Sequence, residues 1–159
     1  MNWKALPASP FGEYLRASVW RPASIDHMVV DEVTAIVPNR AQGYFKGQNG
    51  HLRNSTLMDS SYKSPGGGVA WTAADLVQLA IAMQNGKLLK PATVAQMWQG
   101  TKLPDGSMVP YGLGWQVGEW KGQRNIQHGG AQQRAQTLLF ILPDKALAWQ
   151  SCATWKAYS

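Results

Sequence analysis

The sequence is poor in cysteine, in charged residues and in long apolar runs, and each shortage excludes a class of protein. Cys152 is the single cysteine, so an internal disulfide and a metal site built from several cysteines are both excluded. There is no run of about 18 apolar residues, which argues against a transmembrane helix. Residues 1–7 also lack the long apolar stretch of a secretory signal. Only 15% of the residues are charged, a composition that fits neither a disordered chain nor a coiled coil.

The remaining composition is that of a globular protein. A length of 159 residues with 45% hydrophobic residues predicts one domain with a sizeable core. Lysine and arginine outnumber aspartate and glutamate by 15 to 9, which gives a formal net charge of +6. The basic residues are dispersed, and even Lys87–Lys90 holds only two of them. Dispersed charge favours a solvated surface, so we expect neither a nucleic-acid nor a membrane partner. The compartment, cytoplasmic or periplasmic, stays open.

Three segments carry helical signals. Pro10 after Ser9 suits a first helical turn, and an apolar stripe continues from Phe11 to Val19 before Pro22 ends the helix. Thr72 and Asp75 have the spacing of a capping box, so a helix is predicted from there to the stop at Asn85–Gly86. A second short helix is predicted to start near Pro91 and to end by Gly100.

The stretch from residue 23 to residue 68 is polar and weakly patterned, which indicates an irregular, turn-rich region. Short strands are predicted at Val33–Val37 and near Tyr44 and Phe45, with a turn at Gly47–Gly50. Pro65–Gly68 is predicted to be a loop.

After residue 102 the apolar pattern changes from a helical period to alternation. Strands are predicted over 111–117, 124–128, 135–142 and 146–153, joined by short turns. Short links favour an antiparallel meander of about four strands with the helices packed on it, an α+β fold. We therefore expect one domain over residues 1–159, helical and irregular over 1–102 and a strand meander over 103–153.

Several short pieces, in this order, resemble the serine β-lactamase and penicillin-binding-protein-like hydrolase family, in particular its class C β-lactamase, esterase and D-aminopeptidase branch. No single piece is specific, but their order over most of the chain is. The pieces are Phe11–Leu15 with Pro22, Arg40–Tyr44, Gly66–Gly68 with Thr72–Leu76, Asn85–Gly86, Tyr111–Trp115, His128–Gly130 and Leu142–Lys145.

The resemblance implies a partial domain of the β-lactamase/transpeptidase type and acyl-enzyme hydrolysis of an amide, lactam or ester, without a cofactor or a metal. His128, Gly129 and Gly130 match the His-x-Gly form of the substrate-lining strand. By resemblance, His128 contacts the substrate carboxylate or the proton network, and the Ala131 amide is an oxyanion donor. The motifs of the nucleophile and of the proton-transfer residue are expected before residue 11, where no residues spell them. We therefore expect a C-terminal segment that is inactive alone and that takes a small acyl substrate only when complemented.

Ser60, Ser61, Tyr62 and Lys63 do fit the Ser-x-x-Lys pattern of the family's nucleophile motif. The pattern is short enough to arise by chance, and the functional motif opens a buried helix so that serine and lysine share one face. Pro65–Gly68 follows at once and breaks a helix. Ser60 and Lys63 are therefore weak catalytic candidates, and no certain catalytic residue is identified.

Other readings remain open. A half-domain of this kind leaves sheet edges that pairing can cover, so a homodimer, a complementing N-terminal segment or a non-catalytic interaction module is the alternative. A basic nucleic-acid binder has only the net charge in its favour. His27 and His51 lack ligand partners at metal-binding spacing, so no metal site is predicted. Cys152 is predicted to be buried and inert.

Overall fold

The computed structural model describes residues 11–56, 58–60, 63–132 and 135–156. The predicted cap at Ser9 and Pro10 lies outside these residues. The helices are α1 (Phe11–Leu15), α2 (Ser64–Gly67), α3 (Ala73–Gln84) and α4 (Pro91–Met97), and a π-helical turn, Arg16–Trp20, continues α1. The strands are β1 (Val29–Val30), β2 (Tyr44–Lys46), β3 (Leu52–Asn54), β4 (Val69–Ala70), β5 (Thr101–Lys102), β6 (Met108–Val109), β7 (Gln116–Trp120), β8 (Gln123–Ala131), β9 (Gln136–Leu142), β10 (Leu147–Ala153) and β11 (Trp155–Lys156).

The centre of the fold is a four-stranded antiparallel sheet in the order β10-β9-β8-β7. Neighbours in the sheet are neighbours in sequence, which is the predicted meander. Helix α3 packs against β9 and β10. The prediction of an α+β fold with about four antiparallel strands and helices on one face is confirmed.

Helix α3 separates two apolar clusters. Ala80 and Met83 face a cluster that includes Trp98, Trp115, Ile126, Leu139 and Ile141. Leu76 and Ala82 face the N-terminal cluster of Trp20, Ala23, Ile25 and Met28. One helix with two apolar faces therefore joins the sheet to the N-terminal segment, and burial of these faces stabilises both halves.

The capping box at the start of α3 is confirmed. The Thr72 hydroxyl accepts a hydrogen bond from the Asp75 N–H at 3.1 Å, and an Asp75 carboxylate oxygen accepts from the Thr72 N–H at 3.0 Å. At the other end, Gly86 adopts a φ of +68°, so the predicted stop is also observed.

The first helix differs from its prediction. Bonds from the Arg21 N–H to the Arg16 carbonyl and from the Ile25 N–H to the Trp20 carbonyl have the wider π-helical spacing. Trp20, at the end of this wider turn and outside the predicted apolar stripe, is only 3% exposed, whereas Phe11, at the start of the stripe, is 39% exposed.

Two predictions for the irregular region are wrong. Val33–Val37 forms no strand, because no strand in the described part of the chain pairs with this mostly β-branched segment, and Ile36 is 96% exposed. Pro65–Gly68 is not simply a loop, since Ser64–Gly67 form one helical turn with Pro65 in its first positions. The predicted strand at Tyr44 and Phe45 and the turn at Gly47–Gly50 are both observed.

The predicted strand over 111–117 starts too early. The chain turns before it, because the Gly112 N–H donates to the Trp115 carbonyl at 2.7 Å and Gly114 has a φ of +80°. Tyr111 forms an isolated bridge with Gln116, where β7 begins. The alternating glycines therefore form a tight loop, and Leu113 is 64% exposed rather than part of an apolar strand face.

Candidate active site

Residues 128–131 form an open edge of the central sheet. On one side, β8 pairs with β9 as far as Ala131. On the other side, β7 ends its pairing at Gln127, so no strand among the described residues pairs with the second edge beyond that point. His128, Gly129, Gly130 and Ala131 are all exposed. The four residues of the predicted substrate strand therefore share one solvent-facing strand end.

The register decides which backbone groups face this edge. In antiparallel strands, hydrogen-bonded and non-hydrogen-bonded pairs alternate. The Gln132 N–H donates to the Ala135 carbonyl at 2.8 Å, and two residues earlier Gly130 lies opposite Thr137. Gln132 and Gly130 thus direct their backbone groups towards β9. Gly129 and Ala131 lie between them in register and direct their N–H and C=O groups to the open side.

The His128 side chain is held by the glycine loop before β7. Its Nδ1 atom lies 2.6 Å from the Gly114 carbonyl oxygen, and its ring contacts Trp115 edge to face at 6.4 Å between centroids. A carbonyl only accepts hydrogen bonds, so Nδ1 carries the proton. In neutral His128, the Nε2 atom then keeps its lone pair and is the nitrogen left to meet a ligand.

The glycine loop is itself fixed by the end of α4. The Leu113 N–H donates to the Met97 carbonyl at 3.0 Å. A Cβ atom at Gly112 would overlap the Met97 carbonyl oxygen and lie 2.6 Å from that of Gln99. Only glycine fits this close approach of two backbones, and the approach sets the position of the Gly114 carbonyl.

Packing within the described chain does not require glycine at 129 or 130. A Cβ atom at either residue would meet its nearest neighbours at 3.5 Å, an ordinary van der Waals distance. What the two glycines leave unobstructed is the exposed side of the strand. This arrangement suits a ligand whose backbone-like groups approach Gly129 and Ala131.

The structure places Lys63 beside the end of this strand. Its Nζ atom donates a short hydrogen bond to the side-chain oxygen of Gln132, the residue after Ala131. A Cβ atom at Gly67 would overlap the Gln132 side-chain amide, so α2 also lies against this end of β8. A positive charge thus stands beside the side chain of the residue that follows the candidate oxyanion donor, a relationship that the sequence did not indicate.

Ser60 precedes α2 in the chain. Its carbonyl accepts a hydrogen bond from the Lys63 N–H at 3.1 Å. Ser61 and Tyr62, between them, lie outside the described residues. The helix that follows, α2, is four residues long and contains no buried residue.

The structure pairs His27 with a carboxylate that is distant in sequence. Its Nδ1 atom lies 3.5 Å from an Asp75 carboxylate oxygen. In the part of the chain that is described, no three acidic, histidine or cysteine side chains come together as metal ligands. None of the helices described there is long and apolar enough to cross a membrane.

Sequence reasoning missed the residues that position His128. The alternating pattern predicts that Gly114 and Trp115 belong to a strand, and Gln132 is not part of any motif. The signal for the loop was the spacing of Gly112 and Gly114, which fits an alternating strand and a tight turn equally well.

A comparison with protein-family models shows which family the chain belongs to. The family model described as Beta-lactamase matches residues 4–152. The chain belongs to the beta-lactamase family. The resemblance drawn from the short motifs is thereby confirmed.

Curated relatives and solved structures agree with this assignment. Serine beta-lactamase-like protein LACTB, mitochondrial, of Homo sapiens is 28% identical over 181 residues, covering 86% of this chain and 33% of that protein. A D-stereospecific amidohydrolase from Streptomyces sp. superposes with a TM-score of 0.77 at 19% identity, covering 94% of this chain and 45% of that one. The penicillin binding protein from Bacillus halodurans gives 0.74 at 19% identity, covering 92% and 45%. The chain thus spans about a third of the length of its curated relatives and under half of these structures, which share its fold.

Proposed function

We propose that this chain supplies the substrate-facing strand of an acyl-transfer hydrolase in which a serine on another segment attacks an amide, lactam or ester carbonyl. The observation that carries the proposal is the open edge of β8, where the register turns the Ala131 N–H away from β9. A preorganised N–H at such an edge stabilises the negative charge that develops on a carbonyl oxygen under attack. No cofactor or metal is needed for this chemistry.

Each residue of the strand has a proposed role. The Ala131 N–H donates to the oxyanion, and Gly129 and Gly130 leave room for the substrate. His128, fixed by the Gly114 carbonyl, turns Nε2 to the substrate carboxylate or to the network that moves the proton. Ser60 remains a weak nucleophile candidate because the helix that follows it, α2, is only four residues long and has no buried residue.

The proposed partner is a complementing segment that carries the Ser-x-x-Lys motif. Strand β10 is the last strand of the sheet, so one of its edges is unpaired among the described residues. Trp149, on β10, is 53% exposed beside this edge. A segment that adds a strand to β10 and covers Trp149 would form hydrogen bonds with the unpaired backbone groups of this edge and bury the indole ring.

The test is acylation by an activated ester and by a chromogenic cephalosporin, followed by intact mass. We expect no adduct on the chain alone, and an adduct on the supplied serine once a segment with the Ser-x-x-Lys motif is added. An adduct on Ser60 in the chain alone, lost in Ser60→Ala and kept in Ser55→Ala, would overturn the proposal.

The strand is tested in the complemented protein. His128→Gln should slow acylation by about 10²-fold if the imidazole lines the substrate, a typical contribution of one polar group to catalysis. His51→Gln is the matched control, because His51 is also an exposed histidine but lies directly after the turn at Gly47–Gly50 rather than on β8. Equal acylation rates in the two variants would contradict the role of His128.

A second candidate function is a self-associating, non-catalytic module. The outer face of the sheet favours it, since Trp120, Leu147 and Trp149 are each about half exposed. Phe140 lies between the two indoles, opposite Trp149 in register and in edge-to-face contact with Trp120 at 6.2 Å. An exposed apolar face of this kind marks an interaction surface.

Sedimentation over a range of concentrations distinguishes the two functions. Self-association predicts a dimer that Trp149→Lys converts to a monomer, whereas Leu52→Lys, at an exposed apolar position on β3, leaves it unchanged. A monomer at all concentrations with a cooperative melt would contradict the self-associating module.

A further inference from the structure

The cavity between α3, α4 and the start of β8 is separate from the open strand edge. It has a volume of about 240 Å³. Met83 lines it from α3, Pro91 and Val94 from α4, and Trp98 and Arg124 close it towards the sheet. The cavity is open to solvent on one side, and its volume has room for a ring with a small substituent.

Two polar groups distinguish this cavity from a simple packing gap. The first is Arg124, an exposed residue of β8 whose Nη2 atom donates to the Trp98 carbonyl at 2.5 Å. A guanidinium carries five N–H donors, so this bond leaves others for a ligand. No salt bridge within the described part of the chain involves Arg124, although Glu119 is its register partner on β7.

The second polar group is the indole N–H of Trp98. The side chain forms part of the cavity wall and is only 5% exposed. Its Nε1 atom is buried and has no hydrogen-bond acceptor among the described residues. A ligand packed against the Trp98 ring therefore changes the surroundings of this N–H, which makes its resonance a probe of binding.

We propose that this cavity binds a small carboxylate with an aromatic or branched aliphatic body. The apolar body packs against Met83, Pro91 and Val94, and the carboxylate accepts hydrogen bonds from Arg124. An anion suits the site because the arginine is positive at every physiological pH and its planar fork matches a carboxylate. The site does not depend on the proposed acyl-transfer function.

The site lies next to the chain of rings that leads to His128. Trp98 contacts Trp115 edge to face at 6.2 Å, and Trp115 contacts His128 at 6.4 Å. Two indole rings, Trp98 and Trp115, therefore lie between a ligand in this cavity and His128.

The test is titration of the folded chain with phenylacetate and with phenylacetamide, its neutral counterpart, followed by ¹H–¹⁵N spectra. The Trp98 indole resonance is assigned from its loss in Trp98→Phe. We expect phenylacetate to shift that resonance and to bind at least about tenfold more tightly than the amide, since charged hydrogen bonds are stronger than neutral ones. Equal binding of the two compounds, or no binding, would overturn the proposal.

Two variants locate the site. Ala95→Leu fills the cavity from α4 and should weaken phenylacetate binding by at least about tenfold, whereas Ala92→Leu, exposed on the same helix but outside the cavity, should not. Arg124→Gln should remove the preference for the acid, with Arg53→Gln as the control. If Arg124→Gln does not fold, Arg124→Lys takes its place, because lysine keeps the positive charge but lacks the planar fork that matches a carboxylate. Binding that survives Ala95→Leu unchanged would place the ligand elsewhere and contradict the assignment.

Discussion

The Nδ1 atom of His128 lies 2.6 Å from the carbonyl oxygen of Gly114, a residue 14 positions earlier in the chain. This bond joins the open end of β8 to the loop that precedes β7. Since the loop is anchored in turn to the end of α4 through the Leu113 N–H and the Met97 carbonyl, the imidazole is positioned by a helix end rather than by its own strand.

The first prediction concerns the tautomer of His128. Because its Nδ1 atom faces a carbonyl, the neutral ring should carry its proton on Nδ1, whereas free histidine prefers Nε2. Long-range ¹H–¹⁵N correlation at about pH 8 distinguishes the two forms, since most histidines are neutral there. His51, exposed on its turn, provides the internal reference. A proton on Nε2 of His128 would show that the bond to Gly114 is absent in solution.

The second prediction concerns Gly112. Gly112→Ala should lower the free energy of unfolding by about 1–3 kcal/mol, because its Cβ atom would press on the carbonyls of Met97 and Gln99. Gly66→Ala is the matched control, since a Cβ atom there meets nothing within 4 Å. Urea unfolding of both variants measures the difference. Equal stabilities would show that the loop does not approach α4 this closely.

The third prediction concerns the pH dependence that Asp75 confers. Burial alone would raise the pKa of this carboxyl, but the Thr72 N–H and hydroxyl bonds and the nearby His27 outweigh it and hold the pKa below its usual value. A carboxyl with a lowered pKa in the folded state stabilises the fold above its unfolded pKa of about 3.9, and this contribution is lost as the pH falls through the folded pKa.

Asp75→Asn should therefore cost about 1–2 kcal/mol at neutral pH, and progressively less as the pH falls below the unfolded pKa of about 3.9 and through the lower folded pKa. Thermal unfolding from acidic to neutral pH measures the effect, with Asp26→Asn as the control at an exposed position. A cost that does not change with pH would mean that the charge of Asp75 contributes nothing to the cap.

The fourth prediction concerns Cys152. The sequence places it in an apolar strand and predicts a buried thiol, but the structure shows that it is exposed on β10. A thiol reagent such as Ellman's reagent should modify one thiol per folded chain at a rate of the same order as in the urea-unfolded chain. Modification only after unfolding would show that another surface covers the outer part of β10.

Local patterns predicted the elements that need no distant partner. The capping box at Thr72 and Asp75 and the stop at Gly86 depend on residues a few positions apart, so they could be read directly and are observed. The meander was predictable for the same reason, because a two-residue turn such as Lys121–Gly122 brings adjacent strands together.

The failures occur where a distant segment decides the local structure. Val33–Val37 has strand propensity but no partner strand, and strand propensity without a ladder does not form a strand. Gly112 and Gly114 fit an alternating strand equally well, and it is the carbonyl of Met97 that turns them into a loop. Cys152 alternates with apolar residues, yet nothing in the pattern states which face of β10 is covered.

The same division applies to the candidate site. The sequence by itself indicated the family through the order of its motifs and the α+β class through its periodicity. It also predicted a strand over 124–128, which the structure extends to Ala131. Only the tertiary structure decided that Gly129 and Ala131 face an open edge, that Gly114 sets the tautomer of His128, and that Lys63 stands beside Gln132. These contacts join residues up to 69 positions apart, and the packing of α2, α4 and β8 creates them rather than any local preference.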